Sequence, residues 1–256
     1  FSLVVSDFIS VVQKVCSPKN TQVLKPQPPP EVIPSMQINV DFTQPALVHP
    51  QQHQWVASPQ AGVERIMLDR TGAERGRATS IVRYAPDSRF PHHQHPAGEE
   101  ILVLSGVFSE GDHHYPQGWY LRNPAGSGHA PHSAEGAVIF VKLGHLPPAP
   151  HAPADTSLRI NTHDTSCWAT EGEHAACELY RDADEHTRLL RLAPHSLLPL
   201  LATRQTEAFV IQGSLQGVTD ELPERGWLRL PPGAVAAWHA GAQGATVLLK
   251  STAPHI

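Results

Sequence analysis

With 256 residues, 40% of them hydrophobic and 17% charged, the chain holds enough apolar material for one large or two small packed domains, which excludes wholesale disorder. Its formal net charge of -5, with no basic tract, argues against nucleic acid or an anionic membrane as a direct partner. Three cysteines, Cys16, Cys167 and Cys177, make neither a disulfide framework nor a zinc knuckle, whereas seven of the 17 histidines fall between His92 and His132.

The opening run, residues 1–12, is apolar but short, is interrupted by Asp7 and has no basic leader, so neither a signal peptide nor a spanning helix is expected. A soluble, cytoplasmic protein with free thiols is the expectation. Residues 1–35 hold three of the five lysines and the prolines Pro26, Pro28, Pro29, Pro30 and Pro34. That composition predicts an extension or loose arm outside the functional core, which would begin at Met36; the competing reading is a helical arm over residues 2–15.

From residue 36 the pattern is β throughout. Apolar or alternating runs at 79–84, 101–108, 119–122 and 138–143 sit between turns built on Pro86-Asp87, Pro116-Gln117-Gly118 and Pro124-Ala125-Gly126. Many short strands punctuated by Gly and Pro predict a sandwich or barrel. The stretch 146–157, rich in proline, reads as a linker between two domains, 36–145 and 158–256.

The two domains are copies. Residues 83–88 (Arg-Tyr-Ala-Pro-Asp-Ser) return at 191–196 as Arg-Leu-Ala-Pro-His-Ser. Residues 100–106 return at 207–213, 118–126 at 225–233, and 138–142 at 246–250. Four matches at a constant offset of 107 or 108 indicate a tandem duplication of one β unit.

The first copy carries a metal-ligand pattern. His93 and His95 lie two apart on extended chain and therefore share a face. A carboxylate follows at Glu99, and His129 comes 34 residues after His95, where only a folded-over sheet could bring it in. Three imidazoles and a carboxylate suit zinc, iron, manganese or nickel and leave open positions for a small molecule. His92 and His132 flank the pattern as candidate supporting donors.

These residues resemble the cupin superfamily. Its first motif, H-x-H-x(3,4)-E-x6-G, is met by His93, His95, Glu99 and Gly106, and its second, G-x5-P-x-G-x2-H, by Gly118, Pro124, Gly126 and His129. Asp87 stands where the first motif usually has glycine, and Ser133 where the second closes on asparagine. The resemblance implies double-stranded β-helix (jelly-roll) barrels, two in tandem. Either Glu99 or Glu100 meets the motif spacing. The second copy keeps a counterpart of Glu100 (Glu207) but has Thr206 for Glu99, which favours Glu99 as ligand and Glu100 as structural.

The wording is further similar to the ChrR-like cupin family: Trp55-Val-Ala-Ser-Pro, Arg83-Tyr-Ala-Pro, residues 98–104 and 123–131, densely over 36–145 and faintly over 158–251. That resemblance implies one zinc ion on His93, His95, Glu99 and His129. It also implies a regulatory or sensory module that meets a small-molecule ligand or oxidant at the metal. The family's sigma-binding H-x3-C-x2-C finger has no match in residues 1–60, so a sigma factor is not supported as partner; a homodimer is allowed. The rival expectation is a non-haem dioxygenase that cleaves diketone-like substrates, with His132 or Glu100 handling protons. The second copy has Leu200, Leu201, Ala202 and Ala236 around the corresponding positions. It is expected to be a degenerate, metal-free barrel with an apolar interior or lipophilic pocket, packed face to face on the first through Trp227, Leu228, Phe209 and Val210.

Overall fold

The strand Glu99–Glu110 shows why this sequence makes a two-sided sheet. Ile101 and Val103 point into the first barrel, while Leu102 and Leu104 point outward into a second apolar cluster. A strand buried on both faces reads as a continuous apolar run, and residues 101–104 are one. Its counterpart Gln205–Gln216 does the same, with Ala208 and Val210 inward and Phe209 and Ile211 outward.

The computed structural model describes residues 37–72, 76–146, 157–234 and 236–254. The expected extension, residues 1–35, and most of the expected linker lie outside that set. Apart from two three-residue 3-10 turns the described chain is all β, and it forms two jelly-roll barrels. The major sheet of the first runs in the order Gln37–Ile38, Val63–Thr71, Ala78–Tyr84, Ala137–Leu143, Glu99–Glu110, Trp119–Asn123, Leu158–Asn161. The second barrel follows the same plan: Trp168–Glu171, His174–Arg181, Glu185–Leu192, His239–Thr252, Gln205–Gln216, Trp227–Leu230, Ala46–Val48. Among the described residues no helix is long and apolar enough to cross a membrane.

The last strand of each major sheet is exchanged. Leu158–Asn161, from beyond the linker, pairs with Trp119–Asn123 of the first barrel, and Ala46–Val48, from before it, pairs with Trp227–Leu230 of the second. The hydrogen-bonded division of the chain therefore crosses itself, which no composition change in the sequence signals.

The described residues belong to one compact unit. Between the barrels lies a shared core of Ile66, Leu68, Ile81, Leu102, Tyr120 and Phe140 against Cys177, Leu179, Leu189, Phe209, Trp227 and Leu248. Phe140 and Phe209 stack with centroids 4.6 Å apart. Trp227 and Phe209 cover the first barrel as expected, but Leu228 and Val210 do not. They are neighbours of those residues on strands, so they point the other way, into the second barrel's own core. That core is solid, with Leu190, Leu198, Leu215, Leu222 and Leu228 all essentially inaccessible, so the expected apolar interior is present as packing. Cys177 is buried and Cys167 half-buried, both as free thiols.

Buried charges cross the interface, and the lysine–glutamate pairs among them are reciprocal. Lys142 of the first barrel donates to Glu207 of the second at 2.6 Å, and Lys250 of the second to Glu100 of the first at 2.7 Å. Arg122 reaches Glu185 at 2.8 Å, and Arg229 reaches Asp69 at 3.0 Å. Lys142 and Lys250 are repeat equivalents, as are Glu100 and Glu207, whereas the equivalent arginines Arg122 and Arg229 meet acids at non-equivalent positions. The interface is thus a pseudo-twofold, self-complementary contact within one chain.

Candidate metal centre

His93–His95 is a short strand that pairs antiparallel with Ser127–His129, and His93 lies directly opposite His129. Cross-strand partners put their side chains on the same face, and His95, two residues on from His93, joins them. The three rings stand 4.7, 4.8 and 4.9 Å apart between centroids. Glu99 enters from the next strand, where its buried carboxylate lies 3.6 Å from His95 Nε2 and 3.5 Å from His129 Nε2. Those two nitrogens lie 2.9 Å apart. Donors about 2.1 Å from one ion are separated by about 3.0 Å at a right angle and about 3.4 Å at the tetrahedral angle, so these spacings fit a single divalent ion.

At His93 and His95 the protonation pattern suits the same reading. His93 Nδ1 lies 2.9 Å from the Pro91 carbonyl, which requires a proton there and leaves Nε2 with its lone pair. Burial, with the fields of His129 and His93 added, pushes His95 down to about 3, so its imidazole is neutral at ordinary pH. His93 is lowered by burial too. At His129 burial works downward, but the Glu110 hydrogen bond and the Glu99 and Glu110 carboxylates outweigh it and hold the imidazole above its usual value. Burial raises the Glu99 carboxyl against the pull of His129 and Asn123. A dication would reverse that cost by replacing lost water with charge.

The supporting groups were not foreseen from the sequence. Glu110 accepts from His129 Nδ1, the carboxylate–histidine arrangement that orients metal-binding imidazoles. Asn123 donates from Nδ2 to Glu99 Oε2 at 2.9 Å. Arg159 donates to Glu110 at 3.0 Å and to Asn123 Oδ1 at 2.8 Å. Aromatic rings form the floor and wall: Phe90 lies 4.8 Å from His93, and Phe108 lies 6.3 Å from His129.

Glu100, given a proton-handling role in the dioxygenase expectation, faces the opposite side of its strand. It is bound there by Tyr120, Arg122, His145 and Lys250, whose charges and hydrogen bonds outweigh burial and hold it well below the usual carboxylate range. It cannot serve the cluster. His132 rests edge-on to His114, 6.5 Å between centroids. In the second barrel Leu200, Ala202, Thr206 and Ala236 occupy the positions of His93, His95, Glu99 and His129. Leu200 and Ala236 pack on its core, and the described residues there bring no group of metal-binding side chains together.

Comparison with known proteins bears on the family and the fold. Residues 43–147 match the family model described as the ChrR cupin-like domain. No curated protein sequence matches the chain. Among solved structures, a candidate glyoxylate-induced protein of Pseudomonas aeruginosa is 17% identical with a TM-score of 0.66, over 87% of this chain and 92% of that one. A candidate dioxygenase of Nostoc punctiforme is 16% identical with a TM-score of 0.64, over 82% and 80%. A pirin of Escherichia coli solved with nickel(II) is 14% identical with a TM-score of 0.60, over 83% and 100%. At such identities the likeness carries the fold.

Proposed function

We propose, from the match of residues 43–147 to the ChrR cupin-like domain, that this chain is a sensory or regulatory metal-binding bicupin. Its first barrel holds one divalent ion, zinc by preference, on His93, His95, Glu99 and His129, and meets a small ligand or oxidant there. The observation that carries the proposal is the convergence of the Nε2 atoms of His95 and His129 with Glu99 Oε2 at 2.9–3.6 Å, with the His93 ring closing the group. The ion would supply Lewis acidity and an exchangeable position. The protein's own residues favour the neutral form at His93 and His95, aim His129 through Glu110, and place the Phe90 and Phe108 rings beside the imidazoles.

Elemental analysis after gentle purification should give about one divalent ion per chain, and His129→Ala should lose it. Two ions per chain, or none, would overturn the single-site assignment. Iron together with oxygen uptake would move the reading to a dioxygenase.

A further inference from the structure

Arg159 belongs to no expected site and lies beyond the linker, yet its guanidinium is saturated beside the metal cluster. Nε donates to the Tyr115 hydroxyl at 3.1 Å, and Nη1 to the carbonyls of Leu158 at 2.8 Å and Arg122 at 3.4 Å. Nη2 donates to Glu110 at 3.0 Å and to Asn123 Oδ1 at 2.8 Å. All five donors are in use, so the group is fixed in place. We infer that Arg159 is a positioning residue of the first barrel's metal centre, and that this centre is complete only when the strand from beyond the linker is docked.

Arg159 acts along two short paths. On one, it holds the carboxylate of Glu110, which accepts from His129 Nδ1 and so directs Nε2 into the cluster. On the other, it settles which way the Asn123 amide faces. With Oδ1 accepting from Arg159, Nδ2 must point at Glu99, and the carboxylate is held with Oε2 toward the imidazoles. Without the guanidinium that amide can turn over, and its oxygen would then confront the Glu99 carboxylate.

The second barrel is an internal control. Its exchanged strand places Leu47 opposite Leu228, as Arg159 lies opposite Leu121. Where the first barrel has Glu110 and Asn123, the second has Gly217 and Leu230, and Leu47 and Leu230 pack in its apolar core. The copy without imidazoles thus also lacks the arginine, the carboxylate and the amide. An arginine serving only to staple the exchanged strand would be equally useful in both barrels, and it stands only beside the ligands.

This inference rests on the metal reading above, and the test separates the two. The full chain, stripped and reloaded with zinc, is titrated against a chelator of known affinity, and its cobalt(II)-loaded absorption spectrum is recorded. Arg159→Ala should weaken zinc binding roughly 10–100-fold and alter the cobalt bands. Arg159→Lys, which keeps the charge but cannot reach five acceptors, should fall between. Glu110→Gln combined with Arg159→Ala should lose less than the two single losses multiplied together, because both act through His129. If unsubstituted protein binds no divalent ion, the metal reading fails. If it binds and both Arg159 variants match its affinity and spectrum, with at most a lower melting temperature of the metal-free form, the arginine only staples the fold and the inference is overturned. Should Arg159→Ala not fold, Arg159→Lys decides on the same criteria.

Discussion

Glu99 and Glu100 leave one strand in opposite directions, and that alternation assigns each to a different task. The sequence already separated them, because the second copy keeps Glu207 and replaces Glu99 by Thr206. The clustering of His93, His95 and His129 was readable for a similar reason: the proposed ligand chemistry restricts residue type and spacing. Glu110, Asn123 and Arg159 were not readable, since each matters through what it touches after the barrel closes, and acidic, amide and basic residues are common in any sequence. Glu207 yields a prediction at this scale. Burial alone would raise its carboxyl, but Lys142 at 2.6 Å, with Arg77 beyond it, overrides that and takes it down to about 2. A carboxyl held below its unfolded value near 4.5 contributes stability above pH 4.5 and loses that contribution as pH falls toward 2. Urea midpoints measured from pH 6 to pH 2.5 should decline in the natural chain. In Glu207→Gln they should start lower, because Lys142 is left buried without its counter-charge, and decline less. Parallel curves would show that other groups set the acid limit.

Between strands, glycines at close backbone approaches hold the plan of the barrel. Gly106 and its equivalent Gly213 both have positive φ, at 70° and 77°, on the bulged edge of their strands. A Cβ would lie 2.0 Å from the Gly136 carbonyl oxygen at the first and 2.2 Å from that of Gly244 at the second. Both the duplication and the motif predicted glycine at these points, and close approach of two backbones is the reason. Gly111 also has positive φ, at 56°, but a Cβ there meets nothing within 4 Å. Gly111→Ala should therefore cost about 1–2 kcal/mol from backbone strain alone. Gly106→Ala must also push two strands apart and should cost distinctly more, measured as the difference in denaturant midpoint. Equal losses would mean that the close approach relaxes at little cost. The exchanged strands are the elements sequence reading missed. Leu158–Asn161 and Ala46–Val48 are short and have no turn signature tying them to a neighbour, so only the pairing itself reveals which barrel each completes.

For the molecule as a whole, three features bind the barrels into one folding unit: the shared apolar core, the exchanged strands and the reciprocal buried ion pairs. None would survive separation. An isolated first barrel would expose Phe140 and Leu102 and leave Lys142 without Glu207, and the second would leave Arg229 without Asp69. A buried charge that loses its partner is costly, of the order of 3–5 kcal/mol, so partial unfolding of one barrel penalises the other. Thermal unfolding of the metal-free chain should accordingly show one calorimetric transition whose calorimetric and van't Hoff enthalpies agree. Phe209→Ala removes one ring of the 4.6 Å stack at the centre of the interface and should lower that single transition by about 3–5 kcal/mol of stability without splitting it. Loading the first barrel with zinc should raise the same transition, carrying the second barrel with it, because an ion bound only to the folded state stabilises every part that unfolds in the same step. Two resolved transitions, of which zinc moves one and Phe209→Ala the other, would show that the barrels fold independently and meet afterwards.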